Sequence, residues 1–99
     1  MSAHSVAPSG ATFHHLMVEA EPEANALLRV LEPFVIHDVL PHRVDVAAPD
    51  GARDGALRLD LHFCASADLA ARLEARLATM VTVRHIRLMR TGMAVEAAA

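Results

Sequence analysis

Histidine is the residue with the most chemistry to offer in this chain. Seven of the 99 residues are histidines, His4, His14, His15, His37, His42, His62 and His85, beside a single cysteine, Cys64. Imidazoles bind zinc or copper and change charge near neutral pH. His15 and His62 fall in two segments that read as strands, on the side of each strand away from its apolar residues. Paired antiparallel, those strands would bring the two imidazoles together as a metal half-site or a proton-sensitive pair. The ordinary alternative is two half-exposed strand residues in a dimer interface. No C-x-x-C or H-x-x-x-H spacing supports a metal. Cys64 has His62 nearby, but a reactive thiol needs an electropositive neighbourhood, and the alternative is a buried structural cysteine. Glu19, Glu21 and Glu23 form an acidic cluster before a helix start. They suit recognition of a cation, or plain compensation of the helix dipole on a solvated loop.

Catalysis needs a nucleophile, a base and a group that orients the base. The sequence has no G-x-S-x-G, no glycine-rich phosphate loop and no metal signature. It reads as a non-enzyme that calls for no cofactor. The net charge of −3 argues against a nucleic-acid binder. Trp and Tyr are absent, so stacking platforms for single strands are missing. All nine cations are arginine, which reads as codon bias. With 54% apolar and 21% charged residues the composition is globular. No apolar run approaches the ~18 residues of a membrane span, and Met1–Thr12 lacks the features of a secretory signal. One cysteine permits no internal disulfide, so a cytoplasmic setting is expected.

The elements that must position these groups follow from periodicity. Residues 1–12 read as a flexible tail, 13–90 as one domain and 91–99 as a second tail. Phe13–Ala20 alternates as a strand, with Leu16 and Val18 on one side and His15 and Met17 on the other. Pro22 and its flanking acids mark a helix start. Ala24, Leu27, Leu28, Leu31 and Val35 then define an apolar helix face, and Pro33 predicts a kink or a stop near Glu32. Val39–Ala48 ends as an alternating strand, with Val44 and Val46 inward and Pro41 placing its first half at an edge. Pro49–Gly55 is turn chemistry. Ala56–Phe63 is the clearest strand, with Leu57, Leu59, Leu61 and Phe63 on one face. Ser66 reads as the N-cap of a helix carrying Leu69, Ala70, Leu73, Leu77 and Met80. Val81–Met89 is a last strand whose apolar parity changes near Arg84–His85, which predicts a bulge or burial on both sides.

The order is β-α-β-β-α-β. It fits an α+β, ferredoxin-like architecture: a four-stranded antiparallel sheet in spatial order 4-1-3-2, with two helices on one face. A metallochaperone of this fold would carry paired cysteines in Glu19–Glu23, and there are none. An acylphosphatase would carry an anion-cradling arginine there, where this chain has acids.

Asn25-Ala26-Leu27-Leu28-Arg29-Val30-Leu31, with Phe34 three residues on, resembles the first-helix pattern of ACT domains. Val44 and Val46 fit the second strand of that family. Val81-Thr82-Val83-Arg84-His85-Ile86-Arg87-Leu88 resembles its closing strand, most of all in the small regulatory subunits of acetohydroxyacid synthase. The resemblance spans Phe13 to Arg90. It implies a regulatory, allosteric domain that pairs side by side with a second copy into an eight-stranded sheet. It further implies an amino acid bound between domains, and a larger enzyme of branched-chain amino acid biosynthesis as client. The ligand shell it implies is Glu21, Pro22, Glu23, Ala24, Asn25, Asp38, Val39 and Leu40. Asn25 and Asp38 stand where the family commonly has glycine, and Leu40 where it often has asparagine. A dimerising assembly module without a small ligand is the alternative, followed by a metal-binding domain through His15 and His62. Neither nucleic acid nor membrane is an expected partner.

Overall fold

A computed structural model of the chain describes residues 11–48 and 55–93. The expected turn at Pro49–Gly55 lies almost wholly outside the described residues, as do residues 1–10 and 94–99 of the expected tails. The elements run β1 (Ala11–Ala20), α1 (Ala24–Ile36), β2 (Arg43–Ala47), β3 (Leu57–Ser66), α2 (Ala67–Ala78) and β4 (Val83–Met93). The four strands form one antiparallel sheet in the order β2-β3-β1-β4. Both helices pack on one face, which is the expected ferredoxin-like arrangement. Among the described residues no helix is long and apolar enough to cross a membrane.

Alternation decides which side of the sheet is dry. Leu57, Leu59, Leu61, Phe63 and Ala65 of β3 are buried, as are Leu16, Val18 and Ala20 of β1. Phe34 of α1 meets Phe63 edge to face at 5.1 Å, a favoured aromatic geometry. Leu73 and Leu77 of α2 complete the core with no exposed surface. Ser66 caps α2 as expected: its Oγ accepts the Leu69 N–H at 3.1 Å, and Asp68 sits in the first turn. The bulge expected in β4 is present. Glu19 pairs with His85 and Ala20 with Val83, so Arg84 is the extra residue.

Several expectations change on contact with tertiary structure. Helix α1 does not stop at Glu32. It continues through Pro33 to Ile36, because Pro33 and Phe34 are both buried in the core. The carbonyl that Pro33 leaves without an N–H belongs to Arg29, an exposed residue that water can reach. The end of α1 is closed by Asp38 at φ 57, with Asp38 N–H donating to Val35 O and Val39 N–H to Phe34 O. This is a Schellman cap with a left-handed residue just past the helix, the usual place for glycine. The fully buried residues of α1 are Ala26, Val30, Pro33 and Phe34. Of the expected Ala24, Leu27, Leu28, Leu31 and Val35, Leu27 and Leu31 pack half-buried against the core and the other three are exposed. The helix has two adjacent apolar stripes, and periodicity alone cannot say which one meets the sheet. Strand β2 is five residues long and starts at Arg43. Strands β1 and β3 and the end of β4 reach beyond their alternating segments, and Val81 lies outside β4, almost fully exposed.

Phe63→Ala should remove about 3–5 kcal/mol of unfolding free energy, the usual cost of emptying a buried aromatic site. Ser66→Ala should remove about 1 kcal/mol by leaving the Leu69 N–H without its cap. Urea unfolding of both variants measures these losses.

Candidate functional site

The implied ligand residues fall into two groups separated by the whole of α1. Glu21, Pro22, Glu23, Ala24 and Asn25 lie at its N-terminal end, and Asp38, Val39 and Leu40 lie just past its C-terminal end. A 13-residue helix is about 20 Å long at 1.5 Å per residue. One chain therefore does not bring the two groups together. Pro22, Glu23 and Ala24 line a recess of about 300 Å³ with Leu27, Ala48 and Leu57. Asn25 and Arg29 line another, of about 220 Å³, with Met80, Val81 and Thr82. Asp38, Val39 and Leu40 line a third with Phe34 and Val35.

Glu21 is already engaged. Arg84 donates to both of its carboxylate oxygens, Nε at 2.8 Å and Nη2 at 3.1 Å. The hydrogen bond from Arg84, with the charge of that guanidinium, holds the Glu21 carboxyl below its ordinary pKa against the opposing effect of burial. The Glu21 N–H donates to Thr82 O at 2.8 Å, so this loop is tied to the start of β4. Glu23 is the N-cap residue of α1, yet its side chain makes no capping hydrogen bond. The recess beside Pro22 thus has apolar walls and one unengaged acid at its rim.

The other polar cluster lies on the sheet face away from the helices. His15 and His62 are opposite each other in the β1–β3 register. Their rings stack at 4.3 Å with 13° between planes, the contact the sequence foresees. His15 Nε2 lies 2.7 Å from Asp60 Oδ1, and Arg58 Nε donates to Asp60 Oδ2 at 3.1 Å. His42 sits 6.2 Å from the His62 ring and meets Phe13 edge to face. Parallel stacked rings do not aim their lone pairs at one point, and among the described residues no group of three potential ligands is placed to hold a metal ion. Burial, together with His15, Arg43 and His42 nearby, pushes the His62 pKa down. Asp60 is raised by burial, but the hydrogen bonds from Arg58 and His15 outweigh that and leave it low. Cys64 lies in β3 on this face, half-buried, and burial pushes its thiol pKa up.

His14 is the polar residue that sequence reasoning passed over. It is buried on the helix side, stacked on Phe63 at 5.4 Å. Its Nε2 lies 2.6 Å from Thr12 Oγ1 and 3.1 Å from Ala65 O. Its Nδ1 has no hydrogen-bond partner among the described residues. The signal was available: His14 shares its parity with Leu16 and Val18.

No protein-family model matches the chain, and no curated protein is detectably similar to it in sequence. Solved structures are similar in shape. The ACT domain of GTP pyrophosphokinase from Chlorobium tepidum superposes in its crystal structure with a TM-score of 0.66 at 12% identity, covering 80% of this chain and 99% of that one. Its solution structure gives 0.65 at 12% identity, over 81% and 88%. The C-terminal domain of the MgtC protein from Mycobacterium tuberculosis gives 0.63 at 16% identity, over 93% and 99%. The chain thus has the ferredoxin-like fold of ACT domains.

The histidine face makes stability depend on pH. An imidazole whose folded pKa is depressed binds fewer protons in the native state than in the unfolded chain. Stability is then fully present above the unfolded value of about 6.5 and is lost as pH falls through the lower folded value. Asp60, also depressed, contributes stability that is fully present above its ordinary value of 3.8 and is lost only as pH falls below that value. The melting temperature should therefore fall between about pH 7 and pH 5. His62→Gln should flatten that segment while leaving the steeper loss below pH 4.

Proposed function

We propose that this chain is a non-catalytic regulatory module of the ACT type that works as a two-fold dimer joined at strand β2. The observation that carries this reading is an apolar strip beside the free edge of β2. Val44 and Val46 point to the helix side of the sheet, opposite Leu61 and Leu59, yet remain 40% and 47% exposed. Beside them runs the second apolar stripe of α1, with Leu28 64% and Val35 77% exposed and Leu27 and Leu31 half-buried. A monomer gains nothing from this strip. A second copy placed across a two-fold axis pairs β2 with β2 and lays the two α1 stripes against each other.

The same axis resolves the divided ligand shell. Two α1 helices related by it run antiparallel, so the Pro22–Asn25 end of one lies beside the Asp38–Leu40 end of the other. The interface is then where a small amphipathic molecule is bound, with apolar walls from Leu27 and Leu57 and carboxylates from Glu23 and Asp38. Differential affinity of that molecule for two arrangements of the dimer is the means of regulation. Fold likeness to ACT domains supports this reading. The resemblance at Val81–Leu88 names branched-chain amino acids as the first ligands to test, and acetohydroxyacid synthase as the first client. The assembly module without a ligand is the second reading. It is favoured by Glu21 being taken by Arg84 and by Asp38 standing at a left-handed position.

Light scattering should give twice the chain mass of 10.6 kDa. Leu28→Glu combined with Val46→Glu should weaken self-association at least ~10-fold, about 1.4 kcal/mol, while circular dichroism stays unchanged. A monomeric parent protein would remove the proposal. Calorimetric titration with valine, leucine and isoleucine should give saturable heat. No heat up to about 10 mM, well above a 1 mM Kd, would leave the assembly reading.

A further inference from the structure

Strand β4 forms the other edge of the sheet and differs in every respect that governs pairing. It pairs with β1 on one side only. Between two register shifts, six consecutive residues, His85 to Arg90, pair with β1 without interruption. That is a regular free edge of about 20 Å. Three of the nine arginines of the chain, Arg84, Arg87 and Arg90, fall in this strand, which contains no Asp or Glu. The chain as a whole carries a net charge of −3, so the positive charge is segregated here. Arg84 is engaged by Glu21. Arg87 and Arg90 are exposed, and neither makes an ion pair with a described residue.

The two faces of this edge are also unlike. Ile86 and Leu88 point to the helix side, half-buried against the core. His85 and Arg87 point to the open face, opposite Glu19 and Met17. Arg90, opposite the buried His14, closes the helix-side row after Ile86 and Leu88, and Met89 follows Arg87 on the open face. A strand laid along β4 would meet Ile86 and Leu88 and then a terminal arginine on one side, and His85 and Arg87 on the other. A second copy of β4 would set arginine near arginine, which disfavours pairing. We propose that β4 is a docking edge for an extended acidic segment of a partner protein. The segment adds as a fifth strand, with aliphatic residues toward the helices alternating with Asp or Glu toward Arg87 and His85. Main-chain hydrogen bonds supply the attachment, and the charge selects the partner. This surface is independent of β2 pairing: in the two-fold dimer both β4 edges lie at the outer ends of the sheet.

The test uses the full chain and a labelled peptide of sequence TVEVEVT, blocked at both ends, with fluorescence anisotropy as readout. The acidic peptide should bind at least ~10-fold more tightly than its TVKVKVT counterpart at about 50 mM salt, and the difference should shrink as salt is raised. Arg87→Glu with Arg90→Glu should reverse that preference. N-methylation of alternate backbone nitrogens of the acidic peptide should abolish binding to the unaltered protein. On binding, the amides of His85 to Arg90 should gain protection from hydrogen exchange. Equal affinity for the two peptides, no measurable binding, or binding that survives N-methylation would each overturn the proposal. Should the charge-reversed variant fail to fold, the N-methylated peptide and the exchange pattern decide the matter on the native chain. Neither readout depends on whether the chain dimerises or binds an amino acid.

Discussion

The β1–β3 ladder runs through ten consecutive antiparallel pairs, from Ala11 opposite Ser66 to Ala20 opposite Leu57. Side chains in a strand alternate with period two, so this one register decides what each face contains. It sets Leu16 and Val18 beside Leu61 and Leu59 under the helices, and His15 beside His62 on the open side. A slip of one residue would bury His62 and Asp60 and expose the three leucines and one phenylalanine of β3. The hydrophobic penalty of that exchange, about 1.5–3 kcal/mol per large side chain, is why the register is unique. The stacked imidazole pair is a by-product of the same choice.

The helix layer shows where monomer stability ends. Helix α2 packs over β4 and β1, and α1 packs beside it. Together they bury the central strands and leave β2 uncovered on both faces. The two edges of the sheet are then treated differently. β2 is short and flanked by exposed aliphatic groups, the surface proposed to meet a second copy. β4 is long and rich in arginine, a surface that repels its own copy. An edge strand is an open row of hydrogen-bonding groups, and the two edges here present that row beside different side chains.

Much of the fold was legible from residue pattern. Leu57, Leu59, Leu61 and Phe63 mark a strand by alternation, and Ser66 marks a helix start by its hydroxyl. The parity change around Arg84 marks the bulge, because an extra residue is the simplest way to keep both Val83 and Ile86 against the core. Even the approach of His15 to His62 follows once strand order and direction are known. Helix α1 was legible as a helix but not in its orientation. Nine of its 13 residues, ANALLRVLEPFVI, are Ala, Leu, Val, Ile or Phe, so more than one face satisfies an amphipathic pattern. Its end was misplaced for a related reason. Proline is costly in an isolated helix, but here burial of Pro33 and Phe34 offsets the lost hydrogen bond.

By itself the sequence determined the order of elements, the dry face of each central strand and the sign of charge along β4. Those properties are local: propensity, capping and period act over a few residues. Only the tertiary structure decided which stripe of α1 faces the sheet, that Glu21 is held by Arg84 63 positions away, that His14 is buried against Ala65, and that the implied ligand residues sit at opposite ends of one helix. Each of these depends on where distant segments meet in space. Contacts between distant segments are chosen by packing of the whole core, a property that no short window of residues contains.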